Sequence, residues 1–311
     1  MNKHSPIKSK GSLLERASEL YDFGAGLRGG SANKQVPPVE EPPVAATSET
    51  AAPIAARQPM ATRPASSRLV AIDRERLAAQ NFIVPDGPVT GLSEEFRIVK
   101  RQLLLAARGG KGFEAVQHGE RILVCSANPN EGKTYCAINL ALSMASEKDN
   151  RVLLVDADFA KPSVLSTLGI ETRSGFMDAL ADPTCDAESL ILQTDIEGLS
   201  ILPAGSQTNQ DTEYLAAART AEIIDDLTRN DPSRIIIFDS PPALAASPAS
   251  VLALHVGQTL MIVHADVTTD SALRDALSLL SGCEHVQLLL NRTKFSPTGR
   301  KFGNYYGYGA S

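Results

Sequence analysis

The stretch RILVCSANPNEGKTYCAINLALSMA, residues 121–145, decides the fold. Its first six residues, RILVCS, are an apolar run of strand length. A helix follows from Lys133 to about Glu147. Between them lies ANPNEGKT, where Ala127, Gly132, Lys133 and Thr134 fit the pattern of Ala or Gly, four free positions, Gly-Lys and Ser or Thr. That pattern alone is common. Placed between a strand and a helix it reads as a phosphate-binding loop. Its backbone N–H groups can wrap the phosphates, and the helix N-terminus adds positive potential. Lys133 is placed to reach the β- and γ-phosphates, and the Thr134 hydroxyl to ligate magnesium. The competing reading is a lysine at an ordinary helix start.

Outward from this loop, strands and helices alternate. RVLLVDAD, LSILPAG, RIIIFDS, TLMIVHAD and VQLLLNR read as strands. Helices are predicted from about Thr212 to Thr228, near 247–255, and over about 270–281. Continuous Ile, Leu and Val runs alternating with helices predict an α/β fold with a mostly parallel sheet covered on both faces. Such sheets bind ligands at the carboxyl ends of their strands. Asp156, Asp158 and Asp239 all fall there. Each alone could cap a helix or sit in a solvated turn. Three together beside a phosphate loop are costly unless a cation or a transferred proton uses them. ATP with Mg2+ is the expected ligand, and one Asp is free to accept a proton.

The 311-residue chain has a net charge of -6, which gives no support to nucleic-acid binding. Its four cysteines show no C-x-x-C spacing; Cys125 and Cys136 read as buried thiols. No apolar run reaches the length of a bilayer span, and the basic start MNKHSPIKSK is not followed by the apolar core of a secretory signal. Four regions are expected. Residues 1–30 carry a short amphipathic helix over 11–22, residues 31–68 form a disordered Pro/Ala-rich tether, 69–294 the folded domain, and 295–311 a flexible Tyr/Gly tail. Within the domain, LSEEFRIVKRQLLLAAR reads as a helix capped by Ser93, with Phe96, Val99, Leu103 and Ala106 inward and Glu94, Arg97 and Arg101 on the other face. Tyr214 lies in a helical stretch and is expected to pack. Half of the six tyrosines, Tyr305, Tyr306 and Tyr308, stand in KFGNYYGYGAS, where no apolar pattern offers a core.

SANPNEGKT, VLLVDADFAKP and IIIFDSPP resemble the Walker A, A′ and B motifs of the bacterial tyrosine autokinases of polysaccharide export. EEFRIVKR resembles that family's E-x-x-R-x-x-R motif, and the tail its tyrosine cluster. The likeness covers roughly residues 90 to 311, and the wording of the motifs is similar to a cytosolic, exosortase-associated subgroup. It implies a P-loop NTPase fold related to MinD and ParA proteins, ATP and Mg2+ as cofactors, and tyrosine autophosphorylation that regulates exopolysaccharide polymerisation or export. The implied nucleotide contacts are Ala127, Asn128, Pro129, Asn130, Glu131, Gly132, Lys133, Thr134, Tyr135 and Asn291. Asp156 would be the catalytic base beside Lys133; Thr134, Asp158 and Asp239 would organise the metal. Glu94, Arg97 and Lys100 would form a ring interface, and Tyr305, Tyr306 and Tyr308 would be phosphorylated in trans. Implied partners are further copies of the chain, a membrane chain-length-determinant or co-polymerase activator, and a cognate tyrosine phosphatase. The expected location is the cytoplasm, at the inner face of the membrane through that partner.

Four positions depart from the pattern. Asn130 replaces the loop's usual Gly, and Asn tolerates positive φ. Ala160 stands where Arg is frequent, leaving Lys161 beside it. Lys100 replaces the third basic residue, and Lys lacks the planar fork of Arg, although Arg101 lies on the Glu94–Arg97 stripe. The tail has three tyrosines. Two rival readings share the fold. One is a MinD- or ParA-type positioning ATPase, whose signature lysine is replaced here by Asn128. The other is a nucleotide-loaded scaffold without catalysis.

Overall fold

Each apolar run that reads as a strand forms one in the computed structural model, which describes residues 69–294 apart from 111 and 113. The amphipathic helix expected over 11–22, the tether over 31–68 and the tail lie outside the described residues. The strands are β1 (Arg121–Ser126), β2 (Arg151–Asp156), β3 (Leu192–Gln193), β4 (Leu199–Leu202), β5 (Arg234–Asp239), β6 (Gln258–His264) and β7 (Val286–Asn291). They form one sheet in the order β3-β4-β2-β5-β1-β6-β7. All neighbours are parallel except β3 and β4. β3 has no sequence signature, because two residues are too few to show a period.

Period-two alternation sends the strand side chains into two cores. On one face Ile122, Val124, Val152, Leu154, Ile235 and Ile237 pack with two helices, α2 (Gly91–Arg108) and α3 (Lys133–Ala145). On the other, Leu123, Cys125, Leu153, Val155, Ile236 and Phe238 pack with the helices that follow β2, β4, β5 and β6. Cys125 and Cys136 are buried, as their surroundings in the sequence predict; burial pushes their thiols up to about 11 and about 12. Tyr214 packs against the second core.

The structure corrects three details of the helices. Thr90, not Ser93, caps α2: its Oγ1 accepts from Ser93 N–H, and Ser93 Oγ accepts in turn from Thr90 N–H at 2.8 Å. The single helix predicted from about Thr212 to Thr228 is two, Asp211–Ala216 and Ala218–Arg229, broken where Ala217 is extended. The Tyr214 carbonyl, which a continuous helix would pair with residue 218, instead accepts from Ala217 N–H and the buried Thr220 hydroxyl. The third concerns Lys100. Its ammonium is buried, donating to the Ser143 carbonyl at 2.7 Å and pairing with Glu147 at 3.0 Å. It ties α2 to the end of α3 within the subunit, where an outward-facing interface residue is expected.

Residues 69–90 carry structure that the sequence reading passes over. Val70 bridges to Thr194, and α1 (Arg74–Ala79) is capped by Asp73. The segment then crosses α3. Ile83 N–H donates to the buried Asn139 Oδ1 at 2.8 Å, while Asn139 Nδ2 donates to the Tyr135 carbonyl at 2.9 Å. Tyr135 OH donates to Asn81 O, and its ring packs at a tilt against Phe82. Asn139→Leu removes both bonds at once while keeping the branching of the side chain. It is expected to lower stability by about 1–3 kcal/mol in urea unfolding. An unchanged midpoint would show that this strap is not held by Asn139.

Candidate functional site

The phosphate loop turns sharply because two of its residues are left-handed: Asn130 at φ 64 and Gly132 at φ 97. A side chain at Gly132 would also displace the Asn291 amide. A Cβ there would lie 2.2 Å from Asn291 Nδ2. Asn130 takes the conformation expected of it at the usual glycine position. Pro129 and Asn130 form the exposed tip, and Ala127 is buried at the root.

Glu131 anchors the loop from within. It is 2% exposed. Its carboxylate accepts from Asn128 N–H at 3.0 Å, Asn128 Nδ2 at 3.2 Å and the Thr268 hydroxyl at 2.5 Å. Its carbonyl accepts from Asn291 Nδ2 at 2.9 Å. Asn128, Glu131 and Asn291 are thus engaged with one another, and the Tyr135 hydroxyl with Asn81. Thr268 is a support that sequence reasoning missed. It lies in the turn after β6, more than a hundred residues away, and no motif marks it.

Three carboxylates meet this loop. β2 and β5 run parallel and in register, so Asp156 and Asp239 end neighbouring strands at the same level. Asp158 follows in the turn after β2. All three are buried, at 1%, 0% and 4% exposure. Lys133 Nζ donates to Asp158 Oδ2 at 2.8 Å. Burial works to lower the Lys133 pKa, but the Asp239 and Asp158 carboxylates outweigh it and raise it. Asp156 is oriented by backbone: Ser163 and Val164 N–H both donate to Oδ2 at 3.0 Å, and Asp158 N–H to Oδ1 at 3.3 Å. Burial still pushes its carboxyl up to about 6. Asp239 is pushed up to about 7, chiefly by burial. Ser163, another residue without a sequence signal, donates from Oγ to the Thr134 hydroxyl at 3.3 Å.

Neither oxygen of Asp239 has a hydrogen-bond partner among the described residues. Buried polar atoms of that kind call for a proton, a water or a cation. Asp239, Asp158 and the Thr134 hydroxyl offer oxygen donors of the type magnesium takes. Among the described residues no three Asp, Glu, His or Cys side chains close into a ready metal cage. Magnesium at a phosphate loop does not need one, since waters and phosphate oxygens complete its shell.

Glu94, Arg97 and Lys100 are not part of this cluster. Lys100 contacts Ser143, ten residues along α3 from Lys133, or about 15 Å at helical rise. Glu94 and Arg97 pair with each other near the helix surface. Lys161 is exposed, and its N–H donates to Asp158. Tyr305, Tyr306 and Tyr308 lie outside the described residues.

Residues 120–293 match the family described as AAA domain. The chain belongs to that family. The AAA domain here is similar to a putative tyrosine-protein kinase, CapB of Staphylococcus aureus, at 25% identity over 228 residues, covering 73% of this chain and 94% of the relative. It is 30% identical over 189 residues to the tyrosine-protein kinase wzc of Salmonella typhimurium, covering 60% of this chain but only 26% of that relative. The chain thus spans nearly all of the one and about a quarter of the other. The kinase domain of VpsO matches at 28% identity and a TM-score of 0.54, with 65% of this chain and 96% of that one covered. The Escherichia coli ETK kinase domain matches in fold, with a TM-score of 0.58 at 22% identity, covering 80% of this chain and 89% of that chain. The resemblance to bacterial tyrosine kinases and the P-loop α/β fold are both borne out.

Raised carboxyl pKa values carry a stability consequence. Between the unfolded value of 3.8 and about 7 the folded chain keeps the Asp239 proton while the unfolded chain releases it. Stability of the ligand-free protein therefore falls as pH rises through that window and levels off above it. The loss is expected to reach at most about 4 kcal/mol. Urea unfolding from pH 4.5 to 8 should show the decline, and Asp239→Asn should flatten it. A native chain whose stability does not change between pH 5 and 7, or a variant with the native slope, would contradict the assignment.

Proposed function

We propose that this chain is an ATP-dependent protein-tyrosine kinase that phosphorylates its own tail at Tyr305, Tyr306 and Tyr308. The observation that carries this reading is Asp156. It is a buried carboxylate, fixed by three backbone N–H groups and raised to about 6, beside a phosphate loop. A proton acceptor of that kind suits transfer to a hydroxyl. The names of the relatives, tyrosine-protein kinases, point the same way.

In this reading the loop residues 127–135 hold ATP, and Lys133 exchanges Asp158 for phosphate oxygens. Magnesium, when bound, neutralises charge on those oxygens; Thr134, Asp158 and Asp239 would hold it. The phenol oxygen bonds to the γ-phosphorus as the bond to the ADP oxygen breaks. Asp156 takes the phenol proton. The backbone donors to Asp156 keep it aimed, and burial keeps it basic enough to serve.

The wider reading is also a proposal. The tail reaches a neighbouring copy in a ring, and residues 31–68 tether the domain. A membrane chain-length-determinant protein activates it at the inner face of the membrane, and a phosphatase resets it. Exopolysaccharide polymerisation or export is the process regulated. Among the described residues no helix is long and apolar enough to cross a membrane. Of the three expected interface residues, Glu94 and Arg97 remain candidates, and exposed Arg101 can replace the buried Lys100.

Incubation of the purified chain with labelled ATP and Mg2+, with and without an activating segment, tests the chemistry. Phosphotyrosine is expected in the tail by mass spectrometry. Lys133→Met should abolish it. Asp156→Asn should slow it by roughly 10²- to 10⁴-fold while ATP still binds. Native rates in Asp156→Asn would remove Asp156 as the base, and ATP binding with no phosphotyrosine under either condition would favour the scaffold instead. A second prediction concerns assembly. Each phosphate adds roughly two negative charges, so ATP should dissociate the native oligomer in size-exclusion chromatography but leave a Tyr305, Tyr306 and Tyr308 to Phe variant assembled. Equal dissociation of both would sink the link between tail and ring.

A further inference from the structure

The two edges of the sheet are built differently. At one, β3 is two residues long and antiparallel, and Val70 bridges beside it. At the other, β7 bonds only to β6 among the described residues. Thr259 N–H donates to His285 O and Ala265 N–H to Asn291 O, so the odd-numbered positions of β7 face β6. The backbone groups of Val286, Leu288 and Leu290 therefore point away from the sheet. The Leu288 and Leu290 side chains are 56% and 57% exposed. The strand reads VQLLLN, with no lysine, no other charge and no proline. Exposed edges normally carry such devices against strand addition. This one is open to a further strand.

The adjoining chain names the occupant. Arg292 is left-handed, at φ 57, so the backbone leaves the strand line at once. Ser296-Pro297-Thr298-Gly299 then has Ser, Pro and Gly where a type I turn favours them. Beyond it runs RKFGNYY, residues 300–306, seven residues against the six of β7. With residues 292–299 as the connecting loop and this turn within it, the segment returns along the outer edge of β7 without a crossover. Phe302 and Tyr306, four apart and so on one face of a strand, bring aromatic rings to the face where Leu288 and Leu290 are exposed, a favourable cross-strand pairing. An antiparallel edge strand on a parallel sheet is a common arrangement.

We propose that residues 300–306 dock on the outer edge of β7 of the same chain as an antiparallel eighth strand. Tyr305 and Tyr306 are then held on their own subunit until something withdraws them. The claim concerns the chain without ligand and does not depend on kinase activity. Phosphate on Tyr306 would sit poorly against Leu288 and Leu290, since a desolvated charge there has no partner.

Amide exchange by NMR on the full chain, without ATP, tests it. Val286, Leu288 and Leu290 amides are expected to exchange slowly. A Gly303→Pro, Asn304→Pro double variant removes a donor in either register. It should speed those three amides by at least roughly ten-fold while Gln287 and Leu289, bonded to β6, stay slow. Leu288→Lys should act in the same direction. Solvent-rate exchange of the three amides in the native chain would overturn the proposal. Protection that survives in the double variant would overturn it too, and if that protection fades on dilution, a second copy covers the edge. With no ATP present, failure here leaves the kinase proposal standing.

Discussion

The site is organised around a charge imbalance: three buried carboxylates share one ammonium. Parallel registry of β2 and β5 places Asp156 and Asp239 side by side, where like charges repel. Asp158 adds a third and captures Lys133. No packing argument favours this arrangement, since burial, with the neighbouring carboxylates adding to it, raises both Asp156 and Asp239 well above their ordinary values. The two cores on either face of the sheet supply the stability that tolerates it. A cation and a phosphate together relieve the imbalance, because the cation offsets the carboxylates and the phosphate releases Lys133 from Asp158.

Around that cluster the loop is held from the side as well as by its own backbone. Glu131 points inward, and its carboxylate joins Asn128 to Thr268 while its carbonyl takes Asn291. Support therefore arrives from the ends of β6 and β7, two strands on the far side of β1 from the carboxylates. The open side of the loop, at Pro129 and Asn130, stays exposed. Preorganisation of this kind presents the loop to a ligand at little further ordering cost.

Much of this was legible in the sequence because its signals are local. Apolar runs of four to seven residues marked the long strands, and Gly132-Lys133-Thr134 between strand and helix marked the loop. Asp156, Asp158 and Asp239 were legible because a strand end is itself a sequence feature. What could not be read was tertiary. Lys100 looks like a surface base until α3 presents the Ser143 carbonyl to it. Thr268 and Ser163 become supports only once folding brings them to Glu131 and Thr134. The break at Ala217 has no Gly or Pro to announce it, because a buried threonine hydroxyl makes it tolerable. Residues 69–90 lack a long period and take their course from Asn139 and Tyr135 on another element.

α3 links these parts. Its first turn carries Lys133 and Thr134, its middle holds the strap through Tyr135 and Asn139, and its end holds α2 through Ser143. Residues Cys136 to Ala145 are all buried, so the helix cannot rotate without repacking against its neighbours. Any shift imposed on the phosphate loop is therefore carried along about 20 Å of rigid helix to α2. Ile98 and Arg101 lie on the exposed face of α2. Connection alone is not coupling. Nucleotide changes assembly only to the extent that it binds differently to the assembled and free chains. The contact able to carry that difference is Lys100 with Ser143, because it is the charged, buried bond joining the helix of the loop to the helix whose outer face meets solvent.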